Sequence, residues 1–411
     1  MNVSAFIANR IAFNRQHSFS RFIIRLTLAA TIISVAVMII TLAFANGFQQ
    51  KVSEKVFSFW GHIRLQEMQP YQSVISEEMP INANDTIVRL IRQMPEVESI
   101  SPFATRYAIL KTRDDLEGVL VKGLDSTYSF SHLKDFLVEG VPPEFKDSSY
   151  SREVMISKYI AGQMKLKVND RVLIYFVRPD GSLRPDRLRI TGLFKTGIEE
   201  YDKTFALGDI RLIRRLNDWQ PDQVGGYEIF LKDYHKIDQV ADQIFNLPGM
   251  PSGWAPQSIR KITPNIFDWL NMQDVTRNVL MAIMVIVALI NLITCLIILV
   301  LERVRMIGVL KAVGATDWTV QRIFLRHSLI ITLTGIIAGA ALGLAVLWLQ
   351  VKTGFIKLNE EAYYLDRAAV HITASEVLTI CTSTFLVCLL VLLIPTYIVK
   401  KVQPVKAIHF R

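Results

Sequence analysis

Four uncharged apolar runs divide the chain: Leu26 to Phe48, Val279 to Leu301, Ser328 to Gln350 and Val377 to Val399. Each is long enough to span the hydrocarbon core of a bilayer as an α-helix. The stretches around them alternate in character. Residues 1–25, 302–327 and 400–411 are short and basic, residues 49–278 are long and mixed, and residues 351–376 are short and close to neutral. The pattern predicts an α-helical membrane protein with four transmembrane helices (26–48, 279–301, 328–350, 377–399) and a large α+β domain inserted between the first two.

Within 49–278 the period of the apolar residues changes along the chain. Val56 to Leu65 predicts a strand leaving the membrane. Asn84 to Met94 predicts a helix with Ile87, Leu90 and Ile91 on one face and Asn84 or Asp85 as its cap. Strands follow at 97–112 and 118–123. Tyr227 to Leu231 predicts another strand, His235 to Leu247 a helix on Ile237, Val240 and Ile244, and Trp254 to Ile262 a last extended piece. Two strand-and-helix units separated by an insertion predict a split α+β lobe. The insertion, about 124–217, reads as a mostly β lobe. In it Arg171 to Val177 and Arg187 to Leu193 alternate and pair across Arg178-Pro179-Asp180-Gly181, where Pro-Asp-Gly supplies a turn. Asn265 to Arg277 is amphipathic and extends the second span outward, with Trp269 at the interface.

The spans carry their own packing signals. Thr27, Thr31 and Ser34, continued by Met38 and Thr41, recur at helical spacing and draw a small, hydroxyl-bearing stripe down the first span. Gly335, Gly339 and Gly343 recur every four residues on the third, a ridge that lets another helix approach closely. Asn291 and Thr294 lie near mid-depth of the second and face other helices, since an unpaired amide in lipid is costly.

The net charge of +9 would suit a nucleic-acid binder if it lay on a folded surface. It does not. The three short basic segments hold 13 Lys and Arg against two acids, whereas Lys51 to Arg277 holds 30 against 31. The excess therefore marks the cytoplasmic side, with both termini inside and the large domain outside, and nucleic acid is excluded as a partner. The three cysteines, Cys295, Cys381 and Cys388, fall in apolar runs, so the large domain has no disulfide. The histidines lack ligand spacing, and no phosphate-binding loop, nucleophile elbow or metal-protease motif occurs. No catalytic, cofactor-binding or metal-binding residue is nominated. Between the second and third spans, Ala315 to Phe324 reads as a two-turn helix lying beneath the membrane.

The run Glu302-Arg303-x-Arg305-x-Ile307-Gly308-Val309-Leu310-Lys311-Ala312-Val313-Gly314-Ala315-Thr316, followed by Gln321-Arg322-Ile323-Phe324, resembles the ABC-transporter permeases of the FtsX, MacB and LolC/LolE type. Phe6-Ile7-Ala8-x-Arg10, Asn46-Gly47-Phe48-Gln49 with Gly61-His62-Ile63, and Phe194-Lys195-Thr196-Gly197-Ile198-x-Glu200-Tyr201-Asp202 are similar to the LolC/LolE branch. The resemblance implies a multi-pass protein of the bacterial inner membrane whose large domain is periplasmic, with a membrane-proximal α+β lobe and an inserted β lobe. It implies a separate cytoplasmic ATPase dimer, holding ATP and Mg, that docks on a coupling helix formed by Ala315, Thr316, Asp317, Trp318, Val320 and Gln321. It further implies a second permease chain, the same or a paralogue, a membrane lipoprotein as cargo and a periplasmic chaperone as receiver. Arg178, Pro179, Asp180, Gly181, Arg184 and Pro185 occupy the place where the family hooks that chaperone; a plain surface turn is the other reading. A MacB-like efflux pump and an FtsX-like signalling permease are the alternative roles.

Overall fold

The computed structural model describes residues 19–68, 77–145, 150–177, 182–302 and 304–396. The chain forms two compact units, one of Met1–Gln50, Leu270–Lys357 and Arg367–Arg411, the other of Lys51–Trp269 and Leu358–Asp366.

Among the described residues the first unit is built from α1 (Phe19–Trp60), α2 (Pro264–Glu302), α3 (Val304–Ala312), α4 (Asp317–Thr353) and α5 (Ala374–Thr396), with residues 51–60 of α1 and 264–269 of α2 belonging to the second unit. Of these, α1, α2 and α4 are long and apolar enough to cross a membrane, and α5 contributes a shorter apolar stretch, Ala374–Leu390. Each long helix overruns its apolar run because nothing in the flanking sequence breaks it. Pro264 stands at the first position of α2, where its missing N–H costs nothing. The amphipathic stretch from Asn265 then continues into the span as expected.

The glycine ridge of α4 meets α1, touching the hydroxyl stripe at Thr31. A Cβ placed on Gly335 would lie 2.8 Å from Cγ2 and 3.0 Å from Cβ of Thr31; one on Gly339 would lie 2.7 Å from the Ile32 carbonyl oxygen; one on Gly343 would lie 3.2 Å from that of Ala36. The glycine ridge of α4 thus seats against Leu28, Thr31, Ile32, Val35, Ala36 and Ile39 of α1, sharing only Thr31 with the hydroxyl stripe, whose other members Thr27 and Ser34 are buried as well. The Thr31 hydroxyl does not bridge the helices: its Oγ1 donates to the Thr27 carbonyl of its own helix (2.9 Å). The Asn291 amide of α2 donates to the same carbonyl at 3.4 Å. Beside the seam, Val35, Met38, Ile39 and Ala43 pack with Ile336, Leu347 and Ile380.

The second unit is a sheet of β1 (Ile63–Glu67), β3 (Val97–Lys111), β4 (Leu116–Leu124), β5 (Leu137–Gly140), β6 (Glu153–Ser157), β7 (Arg171–Val177), β8 (Leu183–Phe194), β9 (Phe205–Asp209), β11 (Gly226–Leu231) and β12 (Trp254–Ser258), with a separate ribbon of β2 (Ile81–Asn82) and β10 (Gln223–Val224). The order is β12-β1-β11-β3-β4-β9-β6-β8-β5, and β7 pairs with both β3 and β8. That second pairing closes a ring of β3, β4, β9, β6, β8 and β7, a small barrel that protects its strand edges. Because β3 runs for 15 residues, its first half pairs with β11 and its second half with β4 and β7. The inserted β lobe is therefore continuous with the α+β lobe through two shared strands, and residue 124 marks no break in the sheet. Asn84 Oδ1 caps the helix Asp85–Arg92 by accepting from Ile87 N–H at 3.1 Å. The piece expected to stay extended to Ile262 turns into a short helix at Ile259, capped by Ser258.

The strand expected over Val56 to Leu65 is helix as far as Trp60. Gly61, at φ +72°, ends it with its N–H donating to the Phe57 carbonyl at 2.7 Å, a left-handed cap that favours glycine. Burial explains the override: Phe59 and Trp60 are fully enclosed, and rings of Tyr201 and Phe205 lie 5.2 and 4.9 Å from them. One of the carbonyls that a helix end leaves open, that of Phe59, accepts from Nζ of the buried Lys122. The same ammonium pairs with Glu228 at 2.7 Å and lies 4.6 Å over the Trp60 ring. Beside it Arg64 pairs with Glu78 at 2.5 Å and stacks on Phe103 and Trp60. Burial pushes the Glu228 carboxyl up and the Lys122 amine down, each opposed by the attraction between them.

Two outcomes check these readings. In lipid nanodiscs Gly335→Ala and Gly339→Ala should each lower stability by about 1–3 kcal/mol, with Gly343→Ala milder; an equal effect at all three positions contradicts the seam. Lys122→Met leaves a buried carboxylate alone and should cost about 3–5 kcal/mol, of which adding Glu228→Gln restores a large part. Strictly additive losses would show that the two groups are not a pair.

Candidate functional site

The chain turns from α3 to α4 through a corner built on Val313, Gly314 and Ala315. Val313 N–H donates to Val309 and Gly314 N–H to the Lys311 carbonyl at 3.1 Å, while Ala315 N–H reaches back to Leu310 at 2.9 Å. These are the paired bonds of a Schellman end, with Gly314 at φ +97° in the left-handed position it requires. Two residues later Thr316 caps α4, its Oγ1 accepting from Thr319 N–H at 3.3 Å. Lys311 and Asp317 form a 2.9 Å ion pair across the corner. The Gly-Ala-Thr sequence is thus one helix stop joined to one helix start.

The structure corrects the two-turn helix expected over Ala315 to Phe324. Those residues from Asp317 onward are the first turns of α4, which runs unbroken into the apolar span, and the separate short helix is α3. Arg326-His327-Ser328 is polar but holds neither glycine nor proline, so nothing ends the helix there.

Exposure sorts the six coupling residues. Thr316, Asp317 and Trp318 are exposed, and Ala315 is half-buried at the corner. Val320 and Gln321 turn inward; Val320 is fully buried with Leu292, Val300, Ile307 and Cys388. They hold α4 against the other helices and cannot contact a partner directly. Three exposed residues join the surface in their stead: Val309, Val313 at 84% exposure, and Arg322, whose guanidinium lies 5.2 Å over the Trp318 ring. A stripe search on one helix misses them because the surface comes from both sides of a bend.

In the sheet unit β7 and β8 pair from Arg171 opposite Arg189 to Val177 opposite Leu183, so the second strand begins four residues before the expected Arg187 and takes in Arg184 and Pro185. Arg178, Pro179, Asp180 and Gly181 lie outside the described residues. Arg184 is drawn back from the tip: its Nη1 bonds Asp218 at 3.0 Å and the Arg215 carbonyl at 3.3 Å. Pro185 is exposed opposite Tyr175.

The Phe194 to Asp202 stretch folds into a socket. The Asp202 carboxylate accepts from Thr196 N–H (2.8 Å), Thr196 Oγ1 (2.9 Å) and Gly197 N–H (3.0 Å). Burial pushes this carboxyl up against those bonds. Lys195 then pairs with Glu360, and Lys55, whose amine burial pushes down, donates to the Tyr364 carbonyl at 2.7 Å. The motif thus receives residues 358–366. Among the described residues, no group of His, Cys, Asp or Glu is arranged to hold a metal.

Two family models match the chain: the MacB-like periplasmic core domain over residues 25–247, more than half of the chain, and the FtsX-like permease C-terminal part over 278–404. The lipoprotein-releasing system transmembrane protein LolC of Xylella fastidiosa is 22% identical over 414 residues, covering 96% of each chain. LolE of Haemophilus influenzae is 21% identical over 426 residues, covering 99% of each. The macrolide export ATP-binding/permease protein MacB of Burkholderia cenocepacia is 24% identical over 280 residues, which are 62% of this chain and 37% of that one. With helices fit to cross a membrane, a large α+β domain and both models matched in order, the chain belongs to the ABC-transporter permeases of the FtsX and MacB type.

Proposed function

We propose that the chain is the permease subunit that couples ATP hydrolysis in a separate cytoplasmic ATPase dimer to movement of its periplasmic domain, and that it extracts lipoproteins from the inner membrane for a periplasmic carrier. The observation that carries the reading is the exposed corner at Gly314. It presents Val313, Thr316, Asp317 and Trp318, with the Arg322 guanidinium 5.2 Å over the Trp318 ring, and tryptophan and arginine are the residue types in which interface hot spots are enriched. It is held rigidly by its two caps and by the Lys311–Asp317 pair. From it α4 runs 37 residues without a break, roughly 55 Å at 1.5 Å per residue, so a push at the corner moves the whole helix.

In this reading four spans cross the membrane, α5 being the fourth, with both termini in the cytoplasm as the basic flanks require. A second permease chain completes the assembly, and ATP and Mg belong to the ATPase. Alignment with LolC and LolE over nearly the entire chain supports a lipoprotein cargo, whereas MacB aligns over little more than a third of its own length. An acylated cargo also suits entry between helices from the lipid, since its chains need no aqueous channel.

Trp318→Ala should reduce co-purification of the ATPase tenfold or more, the effect of losing one hot spot, with an unchanged melting temperature. Undiminished co-purification removes the docking assignment. In reconstituted vesicles the complete complex should release a labelled lipoprotein to a soluble carrier only with ATP; hydrolysis without release would instead favour a signalling role.

A further inference from the structure

Asn46-Gly47-Phe48-Gln49 has no part in the corner or the seam, yet its polar side chains sit at the centre of a network joining three helices. Asn46 Nδ2 donates to Glu376 Oε1 of α5 at 2.8 Å, and its Oδ1 accepts from Arg277 Nη1 of α2 at 3.0 Å. Gln49 Nε2 donates to Asp274 of α2 at 3.1 Å. Next to it the chain leading into α5 lies directly on α1. His371 N–H donates to the Ala43 carbonyl at 3.1 Å, and a Cβ on Gly47 would sit 2.4 Å from the Ala369 carbonyl oxygen.

Each partner of Asn46 keeps a second bond within its own element. Glu376 Oε2 accepts from Thr373 N–H (2.7 Å) and Thr373 Oγ1 (2.9 Å), the capping bonds of α5. Arg277 pairs with Asp274 three residues earlier on α2, at 3.0 Å. Asn46 can therefore let go of both without unwinding either helix or leaving a charge alone. The groups are only partly buried, so water can take the place of each bond. The apolar cluster of Val35, Met38, Ile39 and Ile380 lacks that option, because parting it leaves voids.

We propose that Asn46 is a latch: its bonds to Glu376 and Arg277 hold α1, α2 and α5 together at this level, and breaking them lets the first turns of α5 part from α1 and α2 while the apolar cluster around Ile380 stays packed. The use of this motion in transport rests on the reading above, but the latch itself is a property of this chain and is measured without cargo or ATPase. Gly47 belongs to the device because only a residue without a Cβ lets the Ala369–His371 segment cross α1 at this point.

The test places spin labels at the exposed positions Val275 on α2 and Leu378 on α5, with the native cysteines replaced, in the full chain in lipid nanodiscs. The wild-type residue at 46 should give one dominant distance. Asn46→Ala should raise the population of a second distance roughly tenfold, as expected for losing two hydrogen bonds, and Glu376→Gln, which keeps the shape of the side chain, should raise it less. Wild-type distributions in both variants overturn the latch, as does an Asn46→Ala chain with a single, uniformly broadened distance, which would mark lost packing in place of a second state. A failure of cargo release with these shifts present would count against the transport reading alone.

Discussion

The backbone contact between α1 and α4 is the constraint on which the rest of the membrane unit depends. Three glycines bring α4 so close to α1 that two of the three positions have no room for a methyl group. Lipid offers no hydrophobic drive for helices to associate, so such contact and the packing it permits are what bind them. The consequence is mechanical. A helix seated backbone to backbone on its neighbour cannot slide or roll independently, and displacement of α4 at the Gly314 corner is shared by α1.

What α1 does with that displacement is set at its other end. The helix is continuous through Trp60, and its last turn is enclosed by aromatic rings and held by a buried ammonium on the Phe59 carbonyl. Buried ion pairs such as Lys122–Glu228 and Arg64–Glu78 contribute little net stability compared with apolar replacements. Their value lies in direction: a charge-assisted bond to one carbonyl fixes where the helix end sits against β4 and β11, while an apolar plug could settle in several positions. Within the same unit, the socket formed by Thr196, Gly197 and Asp202 holds residues 358–366 through the Lys195–Glu360 pair.

Much of this was legible in the residues. The glycine ridge and the hydroxyl stripe are each readable from spacing alone, because such repeats have one geometrical meaning on a helix; that the ridge packs on α1 at Thr31, Ile32, Val35 and Ala36 is not, since sequence says nothing of which helices pair. Asn84 as a cap, the β7–β8 pairing and the β3 and β4 strands follow from local chemistry and period. The errors came where distant residues decide. Val56 to Trp60 alternates well enough for a strand, but the helix wins because Lys122, Tyr201 and Phe205, all remote in sequence, enclose its end. The two-turn helix at Ala315 failed for the converse reason, a missing stop: with no glycine or proline between Asp317 and Ser328, α4 begins earlier than its apolar run. The shared strands of the barrel were hidden because β3 reads as one strand whether it has two partners or three.

The account depends on the corner at Gly314 being gripped from the cytoplasm. A photocrosslinking amino acid at Val313, the most exposed apolar residue of the corner, tests this in native membranes. The predicted result is a crosslink to a nucleotide-binding subunit whose yield changes with bound nucleotide. Crosslinks to lipid alone, or labelling of Val313→Cys by a membrane-impermeant reagent applied from the periplasmic side, would contradict it.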